Sequence, residues 1–331
     1  TADNTTQLSL ISTDTDANTG PVFVLWRNSA NSADGDNTGK IAFQGEDDAG
    51  NKTTYSTIDT FISDNTNGTE DGQLALKTIV AGTERHRINI KSAETVINDD
   101  SVDLDFRVES DGNANMLFVD GGENRIGIGT NAPATDVHIQ KSSATAILRL
   151  HRTGATNAAN AALGQLEFFN ADGTGDGPNV TSKIVGSTFT STGAGGNLEF
   201  YTHDSSESGG EGSDPVQRVK IDGNGNVGIG TASPQQQSGI GLHINNSSGQ
   251  ARLKLTSSTA GATSNDGFDI IVESDTGSPV HLLQHEAGPL KFGTSSSERM
   301  QINSDGNLLF GDNLNTSAAT NDVAGVTVGK T

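Results

Sequence analysis

Neighbouring carboxylates come closest to a catalytic pattern in this sequence, because two acids placed across a groove can hydrolyse a glycosidic bond. Adjacent residues of a β-strand point to opposite faces of the sheet, so acids that are neighbours in sequence make poor acid–base pairs. Aromatic platforms for a glycan are also scarce, since the chain has one Trp and two Tyr besides twelve Phe. We therefore expect solvated turns, no catalytic residue and no enzymatic activity. The densest acidic groups are Asp47 with Asp48, Glu70 with Asp71, Asp99 with Asp100, and Asp103 with Asp105.

Two acidic loops alternate oxygen-bearing side chains with glycine, as many calcium loops do. They cover residues 222–226 and 172–176. An EF-hand loop also needs a glutamate at its twelfth position, where these loops have Ser233 and Lys183. Turns closed by Asx hydrogen bonds explain both loops equally well. We expect no metal site and no cofactor, with calcium binding by these loops left open.

The remaining chemical patterns are weak. His138 and His243 occupy matching places, and three copies of one histidine about a threefold axis could bind a metal, although an outward strand position explains them as well. There is no cysteine, so disulfides and thiolate metal sites are excluded. The glycine-rich stretches precede no helix, which argues against a phosphate loop.

The charge balance limits the partners. The chain has 20 Lys and Arg against 41 Asp and Glu, for a net charge of −21. Phosphate-rich partners require a positive surface, so we expect no nucleic acid partner. The sequence has no run of about 18 apolar residues, so we expect no membrane insertion. The sequence begins at Thr1 without a signal peptide, and we expect a fragment or a processed product.

The elements that must position any site are organised around one stretch, residues 226–234, which has an earlier copy at 125–133. In both copies apolar residues alternate with glycine, which is the period of a β-strand, and a Thr and a Pro follow. Glycine in a strand usually marks a bulge or a close backbone approach. We expect partner chains to meet the bare glycine face, and we expect Gly228→Val to disrupt the close backbone packing at the connector. The predicted structural connector residues are Gly127, Gly129, Pro133, Gly228, Gly230 and Pro234.

Self-comparison predicts three β repeat modules. The first covers 1–97, and a connector with the first Gly-Ile-Gly-Thr strand covers 98–140. The second covers 141–245 and includes the second such strand, and 246–331 holds the third module and a C-terminal segment. Each module contains strands of the form glycine, a variable residue, then apolar-x-apolar. The apolar run 22–26 predicts a strand covered on both faces, the openings 7–10, 147–150 and 252–255 predict strands, and 157–163 predicts a helical turn.

The supply of apolar residues is thin, with 32% of the chain hydrophobic, which favours many small cores or cores shared between chains. The alternating strands predict which side chains form them. The predicted core is Leu8, Leu10, Phe23, Leu25, Ile41, Phe43, Leu74, Leu76, Ile88, Ile90, Ile126, Ile128, Leu148, Leu150, Leu166, Phe168, Leu198, Phe200, Val219, Ile221, Val227, Ile229, Leu253, Leu255, Leu290, Phe292, Met300 and Ile302.

The combination of an Asp-Gly-Asn-x-Val-Gly-Ile-Gly-Thr-x-x-Pro strand with Gly-x-Ile-x-Phe hairpins resembles the tail-fibre and adsorption proteins of tailed bacteriophages. The first module is similar to a repeat common in marine phage structural proteins. The resemblance implies an elongated β-fibre, homotrimeric and exposed on the virion, that works with other virion proteins and contacts the host. It fixes no receptor, so the binding residues are unknown. The residues that carry it in the first module are 20–23, 27–29, 39–43, 51–55 and 68–72.

We therefore expect an all-β, elongated, modular chain of small hairpin, sandwich or prism repeats, packed as a parallel homotrimer. The expected function is that of a structural phage protein, a tail fibre that mediates or supports attachment to a host-surface glycan or protein. Two alternatives stay open. One is a tailspike that depolymerises glycans, and the other is a cell-surface adhesin or extracellular fibre.

Overall fold

A computed structural model describes residues 6–17, 19–154, 158–172, 178–203 and 214–310. These residues form 21 β-strands and no helix, so the chain is all-β. The predicted helical turn at 157–163 is wrong for its described part, because Ala162 and Leu163 begin a strand. No helix of the described chain is long and apolar enough to cross a membrane.

The chain divides into two compact units, Thr1–Leu148 and Arg149–Thr331. Two sheets form the first unit, and the strands of each follow one another in chain order. Sheet one contains β1 (Asn37–Glu46), β2 (Lys52–Asp64), β3 (Asp71–Val80), β4 (Thr83–Ile90) and β5 (Thr95–Ile97). Sheet two contains β6 (Phe106–Ser110), β7 (Asn113–Asp120), β8 (Arg125–Ile128) and β9 (Val137–Ile139).

Three sheets form the described part of the second unit, again with strands in chain order. Sheet three contains β10 (Ala162–Asn170), β11 (Asn179–Thr188), β12 (Gly196–Thr202), β13 (Val216–Ile221), β14 (Val227–Ile229) and β15 (Leu242–Ile244). Sheet four contains β16 (Ala251–Leu255), β17 (Phe268–Val272) and β18 (Val280–Gln284). Sheet five contains β19 (Leu290–Thr294), β20 (Ser297–Ile302) and β21 (Leu308–Phe310).

Antiparallel hairpins build every sheet, as the Gly-x-apolar-x-apolar pattern predicts. Two-residue turns join β3 to β4 and β19 to β20, with positive φ at Ala81, Gly82, Ser295 and Ser296. Positive φ at both central residues is the backbone of the turn that matches strand twist. The pairs β8–β9 and β14–β15 are parallel. In each pair the first strand contains the start of a Gly-Ile-Gly-Thr stretch, and the second strand follows that stretch.

Each sheet carries most of its large apolar side chains on one face, because the strand period of two aligns them across the ladder. In sheet one, a row of directly paired residues crosses all five strands. It consists of Ile41, Ile58, Leu76, Ile88 and Ile97. In sheet three, a row of the same kind crosses six strands. It consists of Leu166, Ile184, Phe200, Val219, Ile229 and Ile244.

These apolar faces lie open in the single chain. Leu166 is 49% exposed and Phe168 is 54% exposed, and none of the 28 predicted core residues is buried. The core prediction is therefore wrong for one chain, because each sheet is a single layer and no second layer covers these side chains. The buried hydrophobic residues are Ala75, Phe118, Val185, Ile271 and Leu309.

Three predicted strands are also absent from the single chain. Residues 22–26 form no strand and are exposed, although their run of apolar residues predicts a covered one. The openings at 7–10 and 147–150 likewise form no strand, whereas 252–255 lies in β16. Of the three openings, only 252–255 pairs with the strand that follows it in the chain.

Candidate functional site

The glycines of the connector stretches lie directly under the chain's own next turn. An added Cβ at Gly228 would lie 2.6 Å from the carbonyl oxygen of Thr231 and 3.4 Å from the Cβ of Pro234. In the earlier copy, a Cβ at Gly127 would collide with the carbonyl oxygen of Thr130. The predicted close backbone approach is thus correct. The approaching backbone belongs to the same chain, so the expectation that partner chains meet this face is wrong.

The second glycine of each copy turns the chain. Gly129 and Gly230 have φ of 81° and 71°, in the left-handed region that disfavours other residues. A Cβ at either position would also meet a carbonyl oxygen, that of Gln140 or Asn245. These glycines are required because the strand must reverse direction tightly beside its parallel neighbour.

Each connector crossover is held by a Thr and a His. The N–H of Ser233 donates to Thr231 Oγ1 at 3.2 Å, and the N–H of Gln235 donates to His243 Nδ1 at 3.1 Å. The first copy repeats both bonds, from Ala132 to Thr130 and from Ala134 to His138. The matching histidines therefore hold the turn after each proline in place. Pro133 takes part as well, because its carbonyl accepts from Arg125 Nη1 at 3.1 Å.

The proposed calcium loop at 222–226 is closed by its own hydrogen bonds. Asp222 Oδ1 accepts from the N–H groups of Asn224 and Asn226, and Oδ2 accepts from Asn226 Nδ2. Asp47 and Asn303 close equivalent turns in other sheets. Because an uncharged Asn303 fills the same place, the turn needs an acceptor rather than a cation. Of the second loop, residues 173–176 lie outside the described part.

Burial alone would raise the pKa of Asp222. The hydrogen bonds from Asn226 and Asn224, together with the charge of Lys220, outweigh burial and lower the pKa below the ordinary 3.8. The carboxylate is therefore ionised in neutral solution and is committed to holding the turn.

The adjacent acids lie in turns, where they face different partners. Asp99 accepts from Asn89 and Lys91, which lowers its pKa. Asp100 accepts from the ring and the N–H of His86, which lowers its pKa. Asp47 is held in its own turn, and its pKa is lowered mainly by the N–H of Asn51. None of these acids is left in the protonated state that a general acid needs.

The polar faces contain buried charges that the sequence analysis missed. Asp59 is 2% exposed and accepts from Lys77 Nζ at 3.0 Å. Asp269 is fully buried and lies 2.9 Å from His285 Nε2, 3.3 Å from an Arg252 nitrogen and 3.5 Å from Lys254 Nζ. The alternation of apolar and polar residues along the strands predicts that Asp59 and Asp269 lie on the polar face. Only the strand register shows that opposite charges meet there.

In sheet three the buried charges are Glu199 and Lys220, with the charged atoms 3.7 Å apart. Glu199 also accepts from Ser187 Oγ at 2.8 Å and from the hydroxyl of Tyr201 at 2.5 Å. Burial and this carboxylate raise the pKa of Tyr201 to about 12. The network satisfies its own charges, so it closes the polar face and offers no free acid.

A polar cleft of about 490 Å³ lies beside the second connector. Lys220, Asp222 and Gln236 line it, with Phe189 and Pro234 as apolar walls. Gln236 Nε2 is buried without a hydrogen-bond partner among the described atoms. The cleft could hydrogen-bond a hydroxyl-rich group. The described residues include no cluster of three or more His, Asp or Glu that could hold a metal ion.

No family model matches the chain, and no curated protein matches its sequence. Among solved structures, it is similar to the carboxy-terminal domain of the bacteriophage T5 L-shaped tail fibre with its intramolecular chaperone domain, at 11% identity and a TM-score of 0.30. That match covers 70% of this chain and 64% of the other, so the chain spans less than two thirds of that structure. A second structure of the T5 carboxy-terminal domain matches at 10% identity and a TM-score of 0.26, over 78% of this chain and 99% of the other.

Replacing Gly228 by alanine is expected to lower the free energy of unfolding by about 1–3 kcal/mol, because the carbonyl of Thr231 cannot rotate away as a side chain does. The matched control is Gly186→Ala in the same sheet, where the nearest atom to an added Cβ is 3.9 Å away. Urea melts of both variants measure the difference. A Gly228→Ala variant as stable as the control would contradict the close approach.

Asp222→Asn is expected to flatten the loss of stability in acid. The pKa of Asp222 is lower in the folded chain than the unfolded value of 3.8, so the ionised carboxylate stabilises the fold when the pH is above 3.8. This stabilisation is lost as the pH falls through the folded pKa. Asparagine keeps the Oδ1 acceptor, as Asn303 does, but does not titrate. Thermal melts between about pH 6 and pH 2 measure the slope. Asp305→Asn, at an exposed position of the Asn303 turn, is the control, and equal slopes for the two variants would refute the assignment.

Proposed function

We propose that this chain is a structural fibre protein of a phage virion, a tail fibre that mediates or supports attachment to the host surface. Its copies associate as a parallel homotrimer, and it acts without catalysis. The observation that carries the proposal is that each sheet leaves its apolar face open in the single chain. Soluble monomers rarely expose contiguous apolar surfaces of this extent, and such surfaces usually mark association sites.

The energetics favour association through these faces. Burial of a Leu, Ile or Phe side chain contributes roughly 1.5–3 kcal/mol, so covering one that is half exposed contributes roughly 1 kcal/mol. The row of six across sheet three therefore supplies several kcal/mol per chain when it is covered. The opposite faces hold ion pairs and polar networks, and with a net charge of −21 they suit the solvent side.

A second copy of the chain is the simplest cover. Identical chains placed in parallel bring sheet one against sheet one and sheet three against sheet three, so each apolar row meets a row of the same length. The number three rests on the resemblance to tail fibres stated from the residues. Three copies would present every surface feature three times, which strengthens attachment by avidity.

The glycan-cleaving alternative receives no support from the acids. Asp99, Asp100 and Asp222 are ionised and hydrogen-bonded to their neighbours.

A surface adhesin or extracellular fibre would use the same open faces, and it differs from a virion protein in where the chain is found. Antibodies against the purified chain should label the tails of phage particles in electron micrographs. Labelling of host cell envelopes alone would favour the adhesin, and release of reducing ends from host polysaccharide would favour the tailspike.

Leu166→Lys is expected to abolish assembly, because a charge would enter the shared apolar core. Gln165→Lys is the matched control, since it adds the same charge on the same strand but on the opposite, polar face. Sedimentation of the two variants should give mostly dissociated or aggregated Leu166→Lys chains and a Gln165→Lys particle of wild-type size. Normal assembly of both variants would contradict burial of this face.

A further inference from the structure

Two segments without secondary structure precede the sheets of the first two modules and do not join them. We name them leader one, residues 22–25, and leader two, residues 147–150. All but one of their residues are large and apolar, the exception being Arg149, and all lie outside any strand. Phe23 is 61% exposed and Leu148 is 66% exposed, more than most side chains of the sheet faces.

The backbone of both leaders is unpaired within the described part of the chain. No backbone hydrogen bond joins residues 22–25 or 147–150 to another described residue. An apolar segment with an unpaired backbone has the composition of a strand without a pairing partner.

Both leaders are fixed to their own sheets at the same point. Leu25 lies over Gly39, where an added Cβ would come within 3.0 Å of the leucine side chain. Leu150 lies over Gly164 in the same way, at 2.5 Å. Both glycines lie fourteen residues further on, and both are on the apolar face of their strand, in phase with Ile41 and Leu166.

An arginine two residues after each leucine holds this arrangement. Arg27 Nη1 donates to the carbonyl of Asn37 at 3.0 Å, and Arg152 Nη1 donates to the carbonyl of Ala162 at 3.2 Å. Each leader is thereby held over the face of the first strand of its own sheet. A segment that lies over a strand's face cannot also pair along the edge of that strand.

The third module shows the pairing that such a segment can make. Residues 253–255 have the same Leu-x-Leu alternation as leader two and lie in β16, which pairs with β17. Leu253 lies opposite Ile270, and Leu255 lies opposite Phe268. In the first two modules the corresponding edges, those of β1 and β10, are open because each of these strands pairs on one side alone.

We propose that the leaders exchange between copies: leader one pairs with the β1 edge of a second copy, and leader two with the β10 edge. This inference rests on the proposed self-association. When the apolar faces close, the leader backbone loses water, and buried N–H and C=O groups must then find partners. An open edge strand of a neighbouring copy provides them. We expect each leader to pair antiparallel, as β16 does with β17. In the register that keeps Leu25 opposite Gly39, Phe23 then lies opposite Ile41.

The absence of cysteine from the native chain permits a direct test by cross-linking. Directly paired strand residues have Cα atoms about 4.5–5.5 Å apart, within the span of a disulfide. The exchange variant is Phe23→Cys with Ile41→Cys. The matched control is Leu253→Cys with Ile270→Cys, a pair that lies within one chain. Each purified variant is oxidised, denatured by boiling in SDS without reductant and separated by size.

The exchange variant should give covalent dimers and trimers, and the control should give monomers whose thiols no longer react. Phe23→Cys and Ile41→Cys alone should give no covalent trimer. Arg149→Cys with Gln165→Cys tests leader two in the same register and covers the case in which the first variant does not fold.

Monomers closed within one chain, or free thiols in both exchange variants, would overturn strand exchange. Light scattering of the same samples under reducing conditions separates the two proposals. Particles of multimeric mass without intermolecular disulfides refute the exchange and leave the fibre proposal standing. Monomeric mass for the wild type refutes both.

Discussion

A single-layer β-sheet has two faces, and this chain covers only one of them with its own residues. On the polar faces, ion pairs such as Asp59 with Lys77 and Glu199 with Lys220 shield each other from water. On the apolar faces, rows of Ile, Leu and Phe lie open. The free energy of that exposed apolar surface is the constraint on which the rest of the structure depends, because the sheets gain their hydrophobic stabilisation only when something covers them.

The connectors fit this constraint because they occupy little space. Gly127 and Gly228 let the following turn lie against the strand, and His138 and His243 fix that turn from the parallel strand. The crossover therefore stays on the polar side of the sheet and leaves the apolar row uninterrupted through Ile229 to Ile244. Larger residues at the glycines would push the turn away and separate the last strand from its sheet.

Sequence alone predicts the strands well and their environment poorly, for a physical reason. The apolar-x-apolar pattern locates β1, β10 and β19 because side chains alternate locally along a strand. Burial depends on what covers the face, and nothing in the pattern of Leu166 or Phe168 says that the cover is missing from the chain. A glycine at position 228 of a strand predicts that some backbone passes close by, but it does not predict which backbone that is. The pairing of Glu199 with Lys220 depends on a register set by loops whose lengths differ between modules.

The most direct test of the account is the absolute mass of the folded wild-type chain in solution, measured by light scattering. One chain has a mass of 34.1 kDa, and three copies give 3 × 34.1, about 102 kDa. The account predicts the larger mass, with a smaller exposed apolar surface than the single chain shows. A well-folded 34.1 kDa monomer would contradict it, because the apolar faces would then be stable in water without a partner.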